Sequence, residues 1–408
     1  MTLTVLDVAE WFGDASGGIR TYLLAKGEYV RGHSHLRQVL VLPGAQDNVI
    51  DDGGVRTYSV RGPRVPAQSQ YRFLFALRKL RRVIERERPD VIEVGSLLFA
   101  PWLVAMAARG YRAPRLVFYH ENLERRLAFP RGAAAAWREL SRGPLRAYLR
   151  AVSASADAGV AASDTQIRDL ADAGITGVAR SPLGVDLQRF HPARRRYASA
   201  TRSTLGVSTN DPVVAFAGRL APEKELTLLL HAWRAIENRC SATLLVMGEG
   251  PLEQQVRRAA LSGRVVLLPF QRDRAMVADI LAAADLLVVP GTIETFGLAA
   301  LEAMACGTPV VVPDSGGASE LVSRSGAGES FIGGNADSLV SAVCGLLDDP
   351  VRLAVLGRVG RRYVEREHDW QRVFDDLFAL YARLVHAETR ERRQGTGAPH
   401  PSTRRGFV

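Results

Sequence analysis

A chain of 408 residues with 47% hydrophobic content is long enough for two α/β domains. Its formal charge is +10, from 53 Lys and Arg against 43 Asp and Glu, and most of the excess lies N-terminal to residue 185. That asymmetry points to an anionic partner for the first half, and no RNP-like or zinc-finger pattern accompanies it, so nucleic acid is not expected.

Leu3–Val8 is a short apolar run that predicts the first strand of a parallel sheet. Early acids at Asp7 and Glu10, with no basic flank, argue against a signal peptide. After this strand Gly17 and Gly18 open a helix, where backbone can approach a bound phosphate closely. Residues 39–42 and 57–60 predict further strands joined by a polar turn at 51–54. Residues 71–84 predict a basic amphipathic helix: Phe73, Leu77, Leu80 and Ile84 recur at three- and four-residue steps, and Arg78, Lys79, Arg81 and Arg82 cluster towards one end. Such a helix can rest on anionic lipid or form a solvated flank. Residues 89–94 and 115–120 predict two more strands, and His120 stands where the second gives way to its loop, the rim where α/β active sites form. The longest uncharged apolar segment, 97–108, falls short of the roughly 18 residues that span a bilayer. A strand at 158–162 and a helix at 165–173 follow, and the basic, small-residue stretch 194–208 predicts a linker.

The second half opens with a strand at 212–217 that runs into Gly218-Arg219-Leu220-Ala221-Pro222-Glu223-Lys224. Arg219 and Lys224, five apart across a Pro-containing turn, can converge on one diphosphate, the first as a bidentate fork and the second as a point charge. The strand 244–247 ends in Gly248-Glu249-Gly250-Pro251, which is no dinucleotide fingerprint because Glu253 stands where the third glycine belongs. After a strand at 265–269, the loop at Phe270 suits a contact with a base. Three cysteines, Cys240, Cys306 and Cys344, form no C-x-x-C pair, which disfavours a disulfide framework or zinc site and favours a reducing cytoplasm.

Residues 288–312 organise the rest. Two β-branched runs predict buried parallel strands, and between them LAALEAMA predicts a helix stopped by Cys306-Gly307-Thr308-Pro309. Glu294 precedes this helix and Glu302 lies just over one turn into it, about two turns on from Glu294. Eight residues amount to about 800° of helical rotation, so the carboxylates can point roughly the same way. The amides of Phe296, Gly297 and Leu298 line the positive end of the helix. Carboxylates for hydroxyl groups beside amides for a phosphate describe a receptor for a sugar nucleotide. Amphipathic helices over 337–386 close the fold, and from 388 onward the aperiodic polar chain predicts disorder.

The run Glu294-Thr295-Phe296-Gly297-Leu298, then Glu302-Ala303-Met304-Ala305-Cys306-Gly307-Thr308-Pro309-Val310-Val311, then Ser315-Gly316-Gly317, resembles the E-x7-E region of retaining glycosyltransferases of family GT4. Gly218-Arg219-Leu220 with Glu223-Lys224, the Gly248–Pro251 loop and Gly184-Val185-Asp186 with Phe190 and Pro192 are similar to further motifs of that family. The resemblance implies the GT-B fold: an α/β protein of two Rossmann-like domains facing across a cleft, with a C-terminal helix crossing back to the first. It implies an acceptor domain over 1–190, a linker at 191–210, a nucleotide-sugar domain over 211–368, the crossover helix at 369–387 and a disordered tail at 388–408. Arg219, Lys224, Glu294 and His120 are then the expected catalytic residues. Gly17, Gly18, Gly248, Gly250, Phe270, Phe296, Gly297, Leu298 and Glu302 join Arg219, Lys224 and Glu294 in binding the donor. No D-x-D triplet occurs, and GT-B proteins replace the metal of GT-A enzymes with Arg and Lys, so no metal or other cofactor is expected.

The expected activity is hexosyl transfer with retention, from a nucleoside diphosphate sugar to a lipid or glycan acceptor. The N-terminal segment looks nearest to bacterial α-mannosyltransferases, which makes GDP-mannose the first donor to consider. UDP-glucose or UDP-GlcNAc donors are the alternative, followed by a GT-B epimerase or phosphorylase and by a non-catalytic sugar-nucleotide-binding subunit. The expected location is cytoplasmic, with a peripheral position on the anionic inner face of the cell membrane an open alternative.

Overall fold

The computed structural model describes all residues except 1, 14–16, 67, 128–134 and 394–408. The chain divides into two compact units, one formed by Met1–Glu124, Ala133–Pro182 and Trp370–Val408, the other by Arg125–Gly132 and Leu183–Asp369.

The first unit holds strands β1 (Leu3–Val8), β2 (Leu36–Gly44), β3 (Asn48–Asp52), β4 (Val55–Arg61), β5 (Arg64–Val65), β6 (Gln68–Arg72), β7 (Val91–Val94), β8 (Arg115–Tyr119), β9 (Ala158–Ala161) and β10 (Val178–Arg180). Eight of them form one sheet in the order β10-β9-β8-β7-β1-β2-β4-β3, parallel except for β3. Apolar runs such as β1 are buried on both faces, as parallel strands covered by helices must be. The last helix, Trp370–Arg393, belongs to this unit and packs on the helix Gly18–Arg31, stacking Phe378 on Tyr29 with ring centroids 5.3 Å apart. It runs five residues beyond Glu388, so the expected disorder is corrected as far as Arg393, and 394–408 lie outside the described residues.

The second unit is a six-stranded, wholly parallel sheet of β11 (Val213–Ala217), β12 (Thr243–Met247), β13 (Val265–Leu268), β14 (Leu286–Val288), β15 (Val310–Pro313) and β16 (Gly328–Phe331). Its order β13-β12-β11-β14-β15-β16 is that of a doubly wound nucleotide-binding fold.

Three local expectations are corrected. The amphipathic helix at 71–84 begins only at Leu77 and ends at Glu87. Residues 68–72 are instead β6, paired with β5, and Phe73 N–H donates to Pro63 O at 2.9 Å while the Arg72 guanidinium donates to Gly62 O at 2.8 Å. With their backbone engaged in that hairpin, Tyr71 to Phe73 are unavailable to a helix. The polar turn at 51–54 is the tip of a second hairpin, and β3 adds an exposed antiparallel edge. Finally, 194–208 is not an open linker: it forms a 3-10 helix Pro192–Tyr197 and an α-helix Ala198–Thr204. Its arginines hold that packing. Arg202 donates to Ala283 O at 2.9 Å and reaches Asp285 at 2.8 Å, and Arg194 reaches Asp279 at 2.6 Å.

Candidate active site

In the second sheet the strand order reverses between β11 and β14, and ligands of doubly wound sheets bind at the carboxyl ends of the strands beside such a point. The loops leaving these two strands carry Arg219, Lys224, Glu294 and the amides of the following helix, Leu298–Ala305.

The loop geometry is built from close backbone contacts. A Cβ on Gly248 would lie 1.9 Å from Gly218 O, and one on Gly250 would lie 2.5 Å from Leu220 O. The Gly248 N–H donates to Leu268 O at 3.1 Å, so this glycine shapes the loop beneath Arg219 and its amide is already engaged. Gly297, at φ 98°, caps the helix in a left-handed conformation that favours glycine. Glu225 is nearly buried beside this loop: it accepts from Thr292 N–H at 3.1 Å and from the Thr292 hydroxyl, pinning the segment between β14 and the helix.

Lys224 Nζ lies 2.5 Å from a Glu294 carboxylate oxygen, and Arg219 pairs with Glu223. The two cations thus meet different carboxylates, rather than one shared point. The amides of Phe296 and Gly297, expected to line an anion site, donate to the Glu294 carboxylate. Burial alone would raise the Glu294 pKa, but Lys224 and these amides outweigh it and hold the group below the usual carboxylate range. Glu302, 7% exposed, is gripped by Arg274, whose guanidinium lies 5.1 Å over the Phe190 ring. Burial pushes Glu302 up, and Arg274 only partly offsets it. Each carboxylate of the E-x7-E pair therefore has its own cation. Phe270 is half-buried in the loop leaving β13, at the same end of the sheet.

The first unit builds its own rim where the order reverses between β1 and β7. His120 follows β8, and its ring stacks on Phe118 at 3.9 Å and lies 5.0 Å from Tyr22. Burial lowers its pKa to about 4, against the opposing pull of Glu93, so the imidazole is neutral at pH 7. Glu10, 2% exposed, accepts from Phe99 N–H at 3.0 Å, and burial pushes its pKa up to about 7. Gly17 precedes the helix Gly18–Arg31 at φ −82°, with nothing within 4 Å of a would-be Cβ. Packing therefore does not require glycine there. The intervening residues 14–16 lie outside the described residues.

Beneath this rim is a buried charge cluster. Lys26 Nζ lies 2.7 Å from Asp7, 3.3 Å from Glu93 and 2.7 Å from the Tyr381 hydroxyl, while Tyr22 donates to Glu93 at 2.9 Å. Burial, only partly offset by Lys26, pushes Asp7 up to about 7. The sequence predicts no site role for Glu225, Arg274, Glu10 or Lys26. Only Glu225 carried a local signal, following Lys224 in an alternating run of charge.

Arg78, Lys79, Arg81 and Arg82 are exposed on the helix Leu77–Glu87. Lys79 pairs with Asp47 at 2.6 Å and Arg81 with Glu85 at 3.0 Å. Beside them, Phe73, Phe75 and Phe99 form a ring cluster with centroids 5.1 to 5.9 Å apart, in which Phe75 is 56% and Phe99 38% exposed. Among the described residues no helix is long and apolar enough to cross a membrane.

Two family profiles match the chain: "Glycosyltransferase Family 4" over residues 16–189 and "Glycosyl transferases group 1" over 211–349. A Mycobacterium tuberculosis protein, a GDP-mannose-dependent alpha-(1-6)-phosphatidylinositol dimannoside mannosyltransferase, is 31% identical across 94% of this chain and 97% of its own length. A Corynebacterium glutamicum protein, a GDP-mannose-dependent monoacylated alpha-(1-6)-phosphatidylinositol monomannoside mannosyltransferase, is 39% identical over 47% of this chain and 52% of its own. Among solved structures, sucrose-phosphate synthase from Thermosynechococcus elongatus superimposes with a TM-score of 0.77 at 22% identity, covering 94% of this chain and all of that one, which shows the GT-B fold.

Proposed function

This chain belongs to glycosyltransferase family 4 and is a hexosyltransferase, and we propose that it moves mannose from GDP-mannose, with retention, to a phosphatidylinositol-based glycolipid. The observation that carries the reading is the Lys224–Glu294 pair at the switch point, set against two loop amides. The end-to-end likeness to a GDP-mannose-dependent enzyme supports the choice of donor.

Breaking the anomeric bond develops negative charge on the diphosphate and oxocarbenium character on the sugar. Arg219, Lys224 and the amides of Phe296, Gly297 and Leu298 stabilise the first, since preorganised donors are worth most where charge develops. In the free protein the Glu294 carboxylate holds Lys224 and two of these amides in place. When donor binds, they pass to the phosphate and Glu294 turns to the sugar hydroxyls. Glu302 receives the ribose hydroxyls, with Arg274 balancing its charge. Phe270 stacks on the base. Gly250 and Gly248 keep the floor of the loop bare. His120, held neutral, orients the sugar or acceptor by hydrogen bonding and is not a proton donor at pH 7. The leaving phosphate takes the acceptor's proton on the face from which it departs.

With Arg219 and Lys224 supplying the positive charge, and no D-x-D triplet, the reaction is metal-independent. Transfer is expected to survive EDTA, and full loss restored only by Mg²⁺ or Mn²⁺ would overturn that reading. The acceptor is reached from the anionic inner face of the cell membrane, on which the cluster of Phe73, Phe75 and Phe99 and the neighbouring basic side chains rest.

Labelled GDP-mannose and UDP-glucose, each with phosphatidylinositol mannoside, test the proposal. Labelled lipid from GDP-mannose alone is expected. Transfer from UDP-glucose alone selects the other donor class, and nucleotide-sugar binding without transfer to any acceptor identifies a binding subunit.

A further inference from the structure

The second unit contains a cavity of about 530 Å³ that the donor site does not use. It is lined by Pro192, Arg195, Pro309, Leu353, Arg358 and Arg362 among others. Its walls include Asp285, which precedes β14, and Gly307 and Pro309, which precede β15. In a parallel sheet the residues entering the strands lie at the end opposite those leaving them, so this cavity and the switch-point loops occupy opposite ends of the sheet. The volume is that of a small-molecule pocket.

Its charge is one-sided. Asp285 is held by Arg202 at 2.8 Å, and four guanidinium groups line the same space. Two of these have structural duties: Arg195 donates to Gly307 O at 3.1 Å, and Arg361 donates to Ala305 O at 2.8 Å. They satisfy carbonyls at the C-terminal end of the helix Leu298–Ala305, which would otherwise repel an anion. Arg358 and Arg362 are different. They lie one turn apart on the helix Pro350–Glu367, are exposed, and form no ion pair among the described residues. The other arginines of that helix do find carboxylates: Arg352 pairs with Glu329, Arg361 with Glu365 and Arg366 with Glu367. Two unpaired forks on one helical face, above a wall of proline and leucine, suit a phosphate carried on a compact apolar or ring body.

We propose that this cavity is a second ligand site, which takes a small soluble phosphate monoester with its phosphate on Arg358 and Arg362 and its organic body against Pro192, Pro309 and Leu353. The site stands apart from the donor reading, since none of these residues belongs to the donor loops. Arg195 and Arg361 connect it to the far end of the helix whose first turn meets Glu294.

The test is calorimetric titration of the full chain with phenyl phosphate, followed by inorganic phosphate. Phenyl phosphate is expected to bind the parent and Lys224→Ala alike, and to bind Arg358→Gln/Arg362→Gln at least about tenfold more weakly, as loss of two charge-assisted contacts implies. Both arginines are exposed, so the double variant should melt with the parent. Absence of binding by the parent in the millimolar range would overturn the proposal, as would binding kept by the arginine variant and lost in Lys224→Ala, which would place the probe in the donor site. Inorganic phosphate should bind more weakly than phenyl phosphate, and equal affinity would refute the apolar wall. Sedimentation with phosphatidic acid vesicles should be the same for parent and double variant. A loss confined to the variant would make the ligand a lipid headgroup and overturn the soluble assignment.

Discussion

Lys224 and Arg219 show how much one side chain can carry. Each donates charge-assisted contacts to the leaving diphosphate in the proposed mechanism, and such contacts are worth roughly 1.5–3 kcal/mol. Lys224→Ala and Arg219→Ala should each lower kcat/KM by at least tenfold, and turnover within twofold of the parent in both variants would refute their role. His120 offers a test by pH. Its folded pKa of about 4 lies below the unfolded value of roughly 6.5, so the unfolded chain binds the extra proton between them. The His120 contribution to stability is therefore intact above that window and falls as pH drops through it. Urea melts of parent and His120→Gln at pH 7.5 and 4.5 should show the parent losing more stability on acidification. An equal loss in both would mean that His120 is not buried neutral.

At the scale of elements, hydrophobic period and glycine placement were legible where a strand, loop or helix follows its local sequence. The helix Leu298–Ala305 has the expected bounds because good formers run without interruption between Gly297 and Cys306-Gly307. The segment 71–84 misled for a physical reason: apolar residues at helical spacing also satisfy a short hairpin followed by a shorter helix, and the choice rests on hydrogen bonds to Gly62 and Pro63. Phe75 and Phe99 stand exposed beside the basic helix, where both rings can meet the proposed membrane surface. Binding should depend on the exposed rings as well as the charges, with each basic residue contributing at most about 1 kcal/mol near an anionic surface. Phe75→Ser/Phe99→Ser and the reversal of Arg78, Lys79, Arg81 and Arg82 to Glu should each release the protein from anionic vesicles while donor binding is kept. Equal sedimentation of the parent and both variants would leave the helix as a solvated flank.

Over the whole molecule, the last helix returns to the first unit and is fastened there through Tyr381, Lys26, Asp7 and Glu93. Removing Lys26 would strand two buried carboxylates, a loss of about 3–5 kcal/mol for Lys26→Met in denaturant melts at pH 8. Without the ammonium both carboxylates have raised folded pKa values. The stability of the variant is then greatest at low pH and is lost as pH rises, so the deficit should shrink on acidification. A deficit independent of pH would show that packing, and not charge, holds the cluster. Tyr381→Phe keeps the ring and should cost less, about 1–3 kcal/mol.

The family, the two α/β halves and the loops bearing Arg219, Lys224, Glu294 and Glu302 could all be read from the chain, because each depends on neighbours within one strand–loop–helix unit. The partners of those residues could not. Arg274 meets Glu302 across 28 positions, Thr292 meets Glu225 across 67 and Lys26 meets Tyr381 across 355. Such pairings arise from the order in which strands assemble and from which face of a helix is buried, and local periodicity carries no record of either. The arginines of 194–208 make the same point. In sequence they resemble a solvated tether, yet burial against the entering ends of β14 and β15 turns them into ligands for carbonyls and carboxylates.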